Sequence, residues 1–155
     1  MAKAKIVQAL PEHIPVIAAS VREDDRREFA ALWTTPEQAM RSGLANSPAV
    51  WTGLVDDIPL AMFGVAPAGF LTPETGRPWM IGTDRLDEHA LLFLRRCRPQ
   101  VARMLEHFPE LINYVATFNY GAIAWLKWLG FQFAPQPVLL GKGVPFYRFE
   151  LRRSA

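Results

Sequence analysis

The side chains that could move a proton or attack a carbonyl are few and scattered. His13, His89 and His107 share no spacing of the kind that puts two ligands on one helix face, so no metal site is expected and each reads first as a surface or cap residue. Cys97 could be a nucleophile, but it lies between apolar and basic neighbours with no base at a recognisable spacing, which is the setting of a buried thiol. Asp56-Asp57 sits between two strand-like runs, where turn chemistry comes before acid and base chemistry. Tyr114 and Tyr120 carry hydroxyls, yet a buried strand and the first turn of a helix are packing positions for tyrosine. Arg95, Arg96, Arg98 and Arg103 share one helical stretch. They could meet a phosphate or a nucleic acid, although a solvated helix face explains them more simply. No catalytic residue can be assigned from these groups alone.

The elements that must position these residues follow from periodicity and punctuation. A short strand is expected over Lys5–Leu10, then a helix over Glu12–Val21 with Ile14, Ile17, Ala18 and Val21 on one side and Pro15 in its first turn. Glu23–Trp33 reads as a second helix: Asp24 and Asp25 suit its positive end, and Phe29, Leu32 and Trp33 form an apolar side. Thr35-Pro36-Glu37 opens a third helix, with Gly43 a candidate end. Strands then follow at Ala49–Val55, Pro59–Ala66 and Pro78–Thr83. The first two are joined through Asp56-Asp57-Ile58-Pro59, and a Pro- and Gly-rich loop at Phe70–Arg77 precedes the third.

The spacing predicts a long helix over Asp87–Glu106, kinked or split at Pro99. A buried strand over Glu110–Phe118 leads into a helix from Tyr120 to Leu129, capped by Asn119 and stopped at Gly130. Strands at Phe131–Ala134 and Phe146–Arg152 close the order. Trp51, Trp79, Trp125 and Trp128 are expected in the core, and any left exposed would mark a protein contact.

The 155 residues suit one domain over 1–155, and 50% hydrophobic with 21% charged residues excludes a disordered chain. No uncharged stretch reaches the roughly 20 apolar residues needed to cross a bilayer, and Lys3 and Lys5 are not followed by a signal-peptide core. A single cysteine fits a reducing compartment. The net charge of +2 divides unevenly: residues 1–84 carry 7 basic and 10 acidic side chains, residues 85–155 carry 10 and 5. The basic half is too diffuse for nucleic acid to be the expected partner.

The run Asn119-Tyr120-Gly121-Ala122-Ile123-Ala124-Trp125-Leu126-Lys127-Trp128-Leu129-Gly130-Phe131 resembles the C-terminal signature of the GNAT N-acetyltransferase superfamily, and the order of elements is similar to it over the whole chain. From Pro78-Trp79-Met80-Ile81-Gly82-Thr83-Asp84 through Leu111-Ile112-Asn113-Tyr114-Val115 to Leu129-Gly130-Phe131, the chain also resembles GNAT-like internal virion proteins of tailed bacteriophages and their prophage relatives. The resemblance implies an α+β fold: a mixed, mostly antiparallel central sheet with helices on both faces.

In that family, backbone amides where the fourth strand meets the long helix bind the pyrophosphate of acetyl-CoA. The resemblance therefore implies Ile81, Gly82, Thr83, Asp84 and Asn119 as cofactor-contacting positions. Two features depart from the pattern. Gly82 through Glu88 lacks a Gly-x-Gly and carries Asp84, Asp87 and Glu88, with Arg85 the offsetting charge, and the position of the family's usual tyrosine acid is Leu126. With these departures, the resemblance implies a degenerate acetyl-CoA site with no cofactor expected, in a virion-associated protein that partners other virion proteins or itself, located in a virion or the host cytoplasm. The alternative is an acetyl-CoA-dependent N-acetyltransferase with a divergent pyrophosphate loop.

Overall fold

The computed structural model describes residues 2–154. Its elements run β1 (Ala4–Gln8), α1 (His13–Ala18), α2 (Glu23–Ala31), α3 (Pro36–Asn46), β2 (Ala49–Val55), β3 (Ile58–Pro67) and β4 (Thr75–Gly82). A 3-10 turn (Asp84–His89), α4 (Ala90–His107), β5 (Glu110–Ala116), α5 (Tyr120–Trp128), β6 (Gln132–Phe133), β7 (Val138–Leu140) and β8 (Val144–Arg152) follow. The eight strands form one sheet in the order β1-β2-β3-β4-β5-β8-β6, with β7 also paired to β8. Every pairing is antiparallel except β4 with β5. This is the expected α+β architecture.

Local chemistry sets most boundaries. Asp56 and Asp57 both take positive φ, 50° and 66°, which makes them the two-residue turn whose twist matches an antiparallel hairpin. The Thr35 hydroxyl accepts from the Gln38 N–H at 3.2 Å, with Pro36 at the first position of α3. Gly130 leaves α5 at φ +101°, as expected of a helix stop.

The structure corrects three expectations. Gly43 does not end α3, which continues to Asn46; its bare Cα lies against the Trp79 ring, leaving no room for a Cβ. Pro99 does not split α4, which runs unbroken over 18 residues because Phe93, Cys97, Val101 and Met104 all stay buried on one face. The long helix starts at Ala90, not Asp87, the preceding residues forming the 3-10 turn.

Alternation along β3 divides the core. Met62 packs with Ile14, Ile17, Met40, Val50 and Ile81 under α1 and α3, whereas Phe63 and Val65 face Cys97, Val101, Met104 and Phe108 of the α4 side. Ala122, Ile123, Trp125, Leu126 and Leu129 of α5 join that second cluster. Helices therefore cover both faces. Continuity across the middle of the sheet depends on β4 and β5, and there the ladder fails.

Candidate active site

β4 and β5 pair only at Thr75 with Glu110 and Gly76 with Leu111, then separate. The cause lies in the next residue of β4 that faces β5. The Pro78 carbonyl accepts from the Asn113 side-chain amide at 2.7 Å, so the Pro78 edge of β4 points at β5. In a strand the N and C=O of one residue share an edge, so the N–H that proline lacks is the one the ladder would need. Asn113 replaces the ladder locally: its Nδ2 donates to Pro78, and its Oδ1 accepts from the Tyr114 N–H at 2.8 Å. Beyond this bridge the strands diverge into a wedge. Alternation directs the N–H and C=O of Met80 and the N–H of Gly82 into it from β4, and the N–H of Ala116 from β5.

A cavity of about 200 Å³ occupies the wedge. One wall is polar, with Arg22, Asp25, Glu28, Asn113, Tyr114 and Asn119. The other is apolar and extends between α4 and α5 to Cys97, Val101, Met104, Leu126, Phe131 and Phe149.

Two carboxylates from α2 close the polar end. Asp25 Oδ2 accepts from the Gly82 N–H at 3.1 Å, and Glu28 Oε1 accepts from the Ala116 N–H at 2.8 Å, so each takes the donor that ends one of the splayed strands. The buried Asn119 Nδ2 donates to both, at 3.1 Å to Asp25 and 3.0 Å to Glu28, while its Oδ1 caps α5 by accepting from the Ala122 N–H. Arg22 lies 3.4 Å from Asp25 and 3.8 Å from Asp87.

Burial pushes both acids above the usual carboxylate range. For Asp25, the Arg22 charge and the bonds from Gly82 and Asn119 oppose that rise. Glu28 is pushed up to about 7 by burial, with its bonds from Asn119 and Ala116 opposing and the neighbouring Asp25 adding to it. A carboxyl that titrates near neutrality inside a cleft has the property required of a general base.

The residues implied as cofactor contacts lie at the end of β4, the start of the 3-10 turn and the cap of α5. Ile81 is buried in the α1 and α3 core. The Gly82 N–H is taken by Asp25, the Thr83 N–H by the Leu60 carbonyl at 2.9 Å, and the Asp84 N–H by the Ser20 carbonyl at 3.0 Å. Those three amides are satisfied within the chain and present no cradle for a diphosphate. The exposed Asp84, Asp87 and Glu88 add negative charge beside the position. The wedge itself holds the cavity, the Met80 N–H and a carboxyl raised to about 7.

Other candidates sit elsewhere or play other parts. The Leu10 N–H donates to His13 Nδ1 at 3.1 Å, and the Thr52 hydroxyl lies 2.8 Å from the same atom. Among the described residues no three His, Cys, Asp or Glu side chains gather as metal ligands, and no helix is long and apolar enough to cross a membrane. Cys97 lines the cavity, but burial pushes its thiol up to about 12, far from a thiolate nucleophile. Arg95, Arg96, Arg98 and Arg103 are exposed, and Arg98 stacks over Trp128. Trp79 and Trp125 line the cavity, and the Trp125 indole Nε1 is buried with no hydrogen-bond partner among the described residues.

Sequence reasoning missed Arg22, Glu28, Pro78 and Asn113, and read Asp25 only as a helix-start charge. A usable signal was present: Asp25 precedes Phe29 by four and Leu32 by seven residues, which places a carboxylate within the apolar stripe of α2.

No protein-family model matches the sequence, and no curated protein matches it. Solved structures do match. An acetyltransferase of the GNAT family from Streptococcus pneumoniae superposes with a TM-score of 0.64 at 14% identity, over 98% of this chain and 100% of that one. A Salmonella typhimurium protein solved with its cofactor acetyl-CoA gives a TM-score of 0.68 at 13% identity, over 97% and 94%. AAC(6')-Ib in complex with ribostamycin and coenzyme A gives 0.71 at 13%, also over 97% and 94%. At such identities the likeness is one of architecture, and the chain is built on the GNAT acetyltransferase fold.

Proposed function

We propose that the chain is an acyl-CoA-dependent N-acyltransferase, acetyl-CoA being the first donor to test, with Glu28 as the general base. The observation that carries this reading is a carboxyl titrating near 7 at the polar end of a cavity set between splayed strands. The thioester, when bound, supplies the acyl group. Glu28 accepts the proton of the attacking amine, so that the N–C bond forms as the C–S bond breaks. The Met80 N–H, directed into the wedge by alternation along β4, would donate to the acyl oxygen as negative charge gathers there, and Asn119 and the Ala116 N–H hold Glu28 in place. Leu126 cannot give a proton to the leaving thiolate, but a thiol with an ordinary pKa of about 8.5 leaves without that help near neutral pH.

The donor's diphosphate must then be anchored away from the Gly82–Asp84 amides. Calorimetric titration of the chain with acetyl-CoA, followed by an amine-acceptor screen, tests the reading. Micromolar binding with acylated product supports it, and silence at millimolar acetyl-CoA and at millimolar longer-chain acyl-CoA alike sinks it.

A second reading is a non-catalytic, virion-associated role in assembly, with other virion proteins or a second copy as partner. Two observations support its non-catalytic, protein-contact part, and the virion setting rests on the resemblance alone: the satisfied amides at Gly82–Asp84, and the exposed apolar side chains of Trp33 (70% exposed), Phe70 (96%) and Leu71 (88%). Under this reading the chain binds no acyl-CoA, and replacing Trp33, Phe70 and Leu71 with serine abolishes association while leaving the fold intact.

A further inference from the structure

We infer that the donor is held by its acyl chain rather than by its nucleotide, so that thioesters of medium-length acyl groups are preferred to acetyl thioesters. This rests on the acyltransferase reading and specifies its substrate class. The cavity volume of about 200 Å³ equals roughly six or seven groups of water size, at about 30 Å³ each. An acetyl group has three heavy atoms and leaves much of that space unfilled. The unfilled part adjoins a wall of Cys97, Val101, Met104, Leu126, Phe131 and Phe149, which carries no charge. This wall offers no charged partner, so it favours hydrocarbon over polar groups.

Leu126 contributes to the same wall, at the position where the family resemblance implies a tyrosine. The polar requirements of an acyl carbonyl are met at the other end, where the Met80 N–H points into the wedge. Trp125, which also lines the cavity, keeps a buried indole N–H with no partner among the described residues. The nucleotide finds no grip at the Gly82–Asp84 amides. The amides of Gly82, Thr83 and Asp84 are taken, and Arg22 beside them is engaged by Asp25 and Asp87. Binding energy therefore shifts from the phosphates to the chain.

Each fully buried methylene is worth roughly a fourfold gain in affinity. A hexanoyl group adds four methylenes to acetyl, and burying half of them gives about a fifteenfold gain. The test reads binding directly. Quenching of Trp79 and Trp125 fluorescence is followed as the full chain is titrated with acetyl-CoA, hexanoyl-CoA and the hexanoyl thioester of N-acetylcysteamine, which has no nucleotide.

The expected result is hexanoyl-CoA binding at least tenfold tighter than acetyl-CoA, with the nucleotide-free thioester within about threefold of hexanoyl-CoA. Val101→Phe, or Cys97→Leu should that variant fail to fold, fills the apolar end and erases the chain-length gain. Acetyl-CoA binding as tightly as hexanoyl-CoA, or loss of binding when the nucleotide is removed, overturns this inference and leaves the acyltransferase reading standing. Absence of binding by all three thioesters overturns both.

Discussion

Replacing Glu28 with glutamine removes one proton-binding site while leaving an oxygen to accept from the Ala116 and Asn119 donors. In the folded chain Glu28 titrates near 7, against an ordinary value of 4.5. A raised carboxyl binds its proton more tightly folded than unfolded, so wild-type stability is lost as pH rises from about 4.5 through about 7 and is constant above that. The full shift would correspond to about 3 kcal/mol at 1.36 kcal/mol per unit. Glu28 is only partly buried, and solvent screening reduces the expected effect to about 2 kcal/mol. Glutamine cannot ionise and escapes the loss. Urea unfolding at pH 5 and pH 8 gives four free energies. The difference between variant and wild type should move about 2 kcal/mol in favour of Glu28→Gln between the two pH values, or a melting-temperature change of roughly 4–8 °C for a domain of this size. Any pH-independent cost of the new amide cancels in that comparison. Parallel pH profiles for the two proteins would refute the burial of Glu28 in the wedge, and with it the basis for calling it a base.

The same titration gives the proposed activity a pH dependence. The rate should rise through about pH 7 as Glu28 ionises, and Glu28→Gln should lower kcat by a factor of about 10²–10⁴ at pH 8, measured by thiol release. Asn119→Ala takes the donor from Asp25 and Glu28 and the cap from α5, and should cost about 2–4 kcal/mol in urea unfolding. Asn113→Ala strands the Pro78 carbonyl and the Tyr114 N–H. A loss of about 1–3 kcal/mol is expected, with faster amide exchange in β5. Asp84→Gly should not create a diphosphate site, because the amide at this position is held by Ser20; calorimetry should find acetyl-CoA affinity unchanged. Gly76→Ala puts a methyl 2.5 Å from the Phe108 ring and 2.7 Å from Val65, and should lower stability by about 1–3 kcal/mol by overpacking.

The parts of the molecule legible in the sequence are those whose physics is local. Thr35 to Gln38, Asn119 to Ala122, the Asp56-Asp57 turn and the Gly130 stop each act within three residues, so the chain order displays both partners of each interaction. The apolar faces of α1 and α4 were equally visible as helical spacing. Pro99 misled because its helix-breaking tendency is a local cost, and the burial of Phe93, Cys97, Val101 and Met104 outweighs it. Gly43 misled for the opposite reason: it reads as a stop, but its role is to admit the Trp79 ring.

The site itself belongs to the tertiary structure. Asp25 and Glu28 are ordinary first-turn and surface acids in sequence; they become a raised pair because the fold buries them against the splayed ends of β4 and β5 and brings Asn119, 94 and 91 positions away along the chain, into contact with both. Ile81 through Asp84 occupy the expected position in the fold, yet whether their amides are free depends on Asp25, Leu60 and Ser20, which no local motif connects to them. The sequence by itself determined most of the elements with their caps and turns, and its resemblance at Asn119–Phe131 carried the α+β architecture; the short strand β7 was not among the strands expected. Only the tertiary structure decided that Pro78 faces β5, that the strands part there, and that burial lifts a carboxyl to near 7 inside the gap. Desolvation and hydrogen-bond satisfaction depend on what surrounds a group in space, and chain order does not record that.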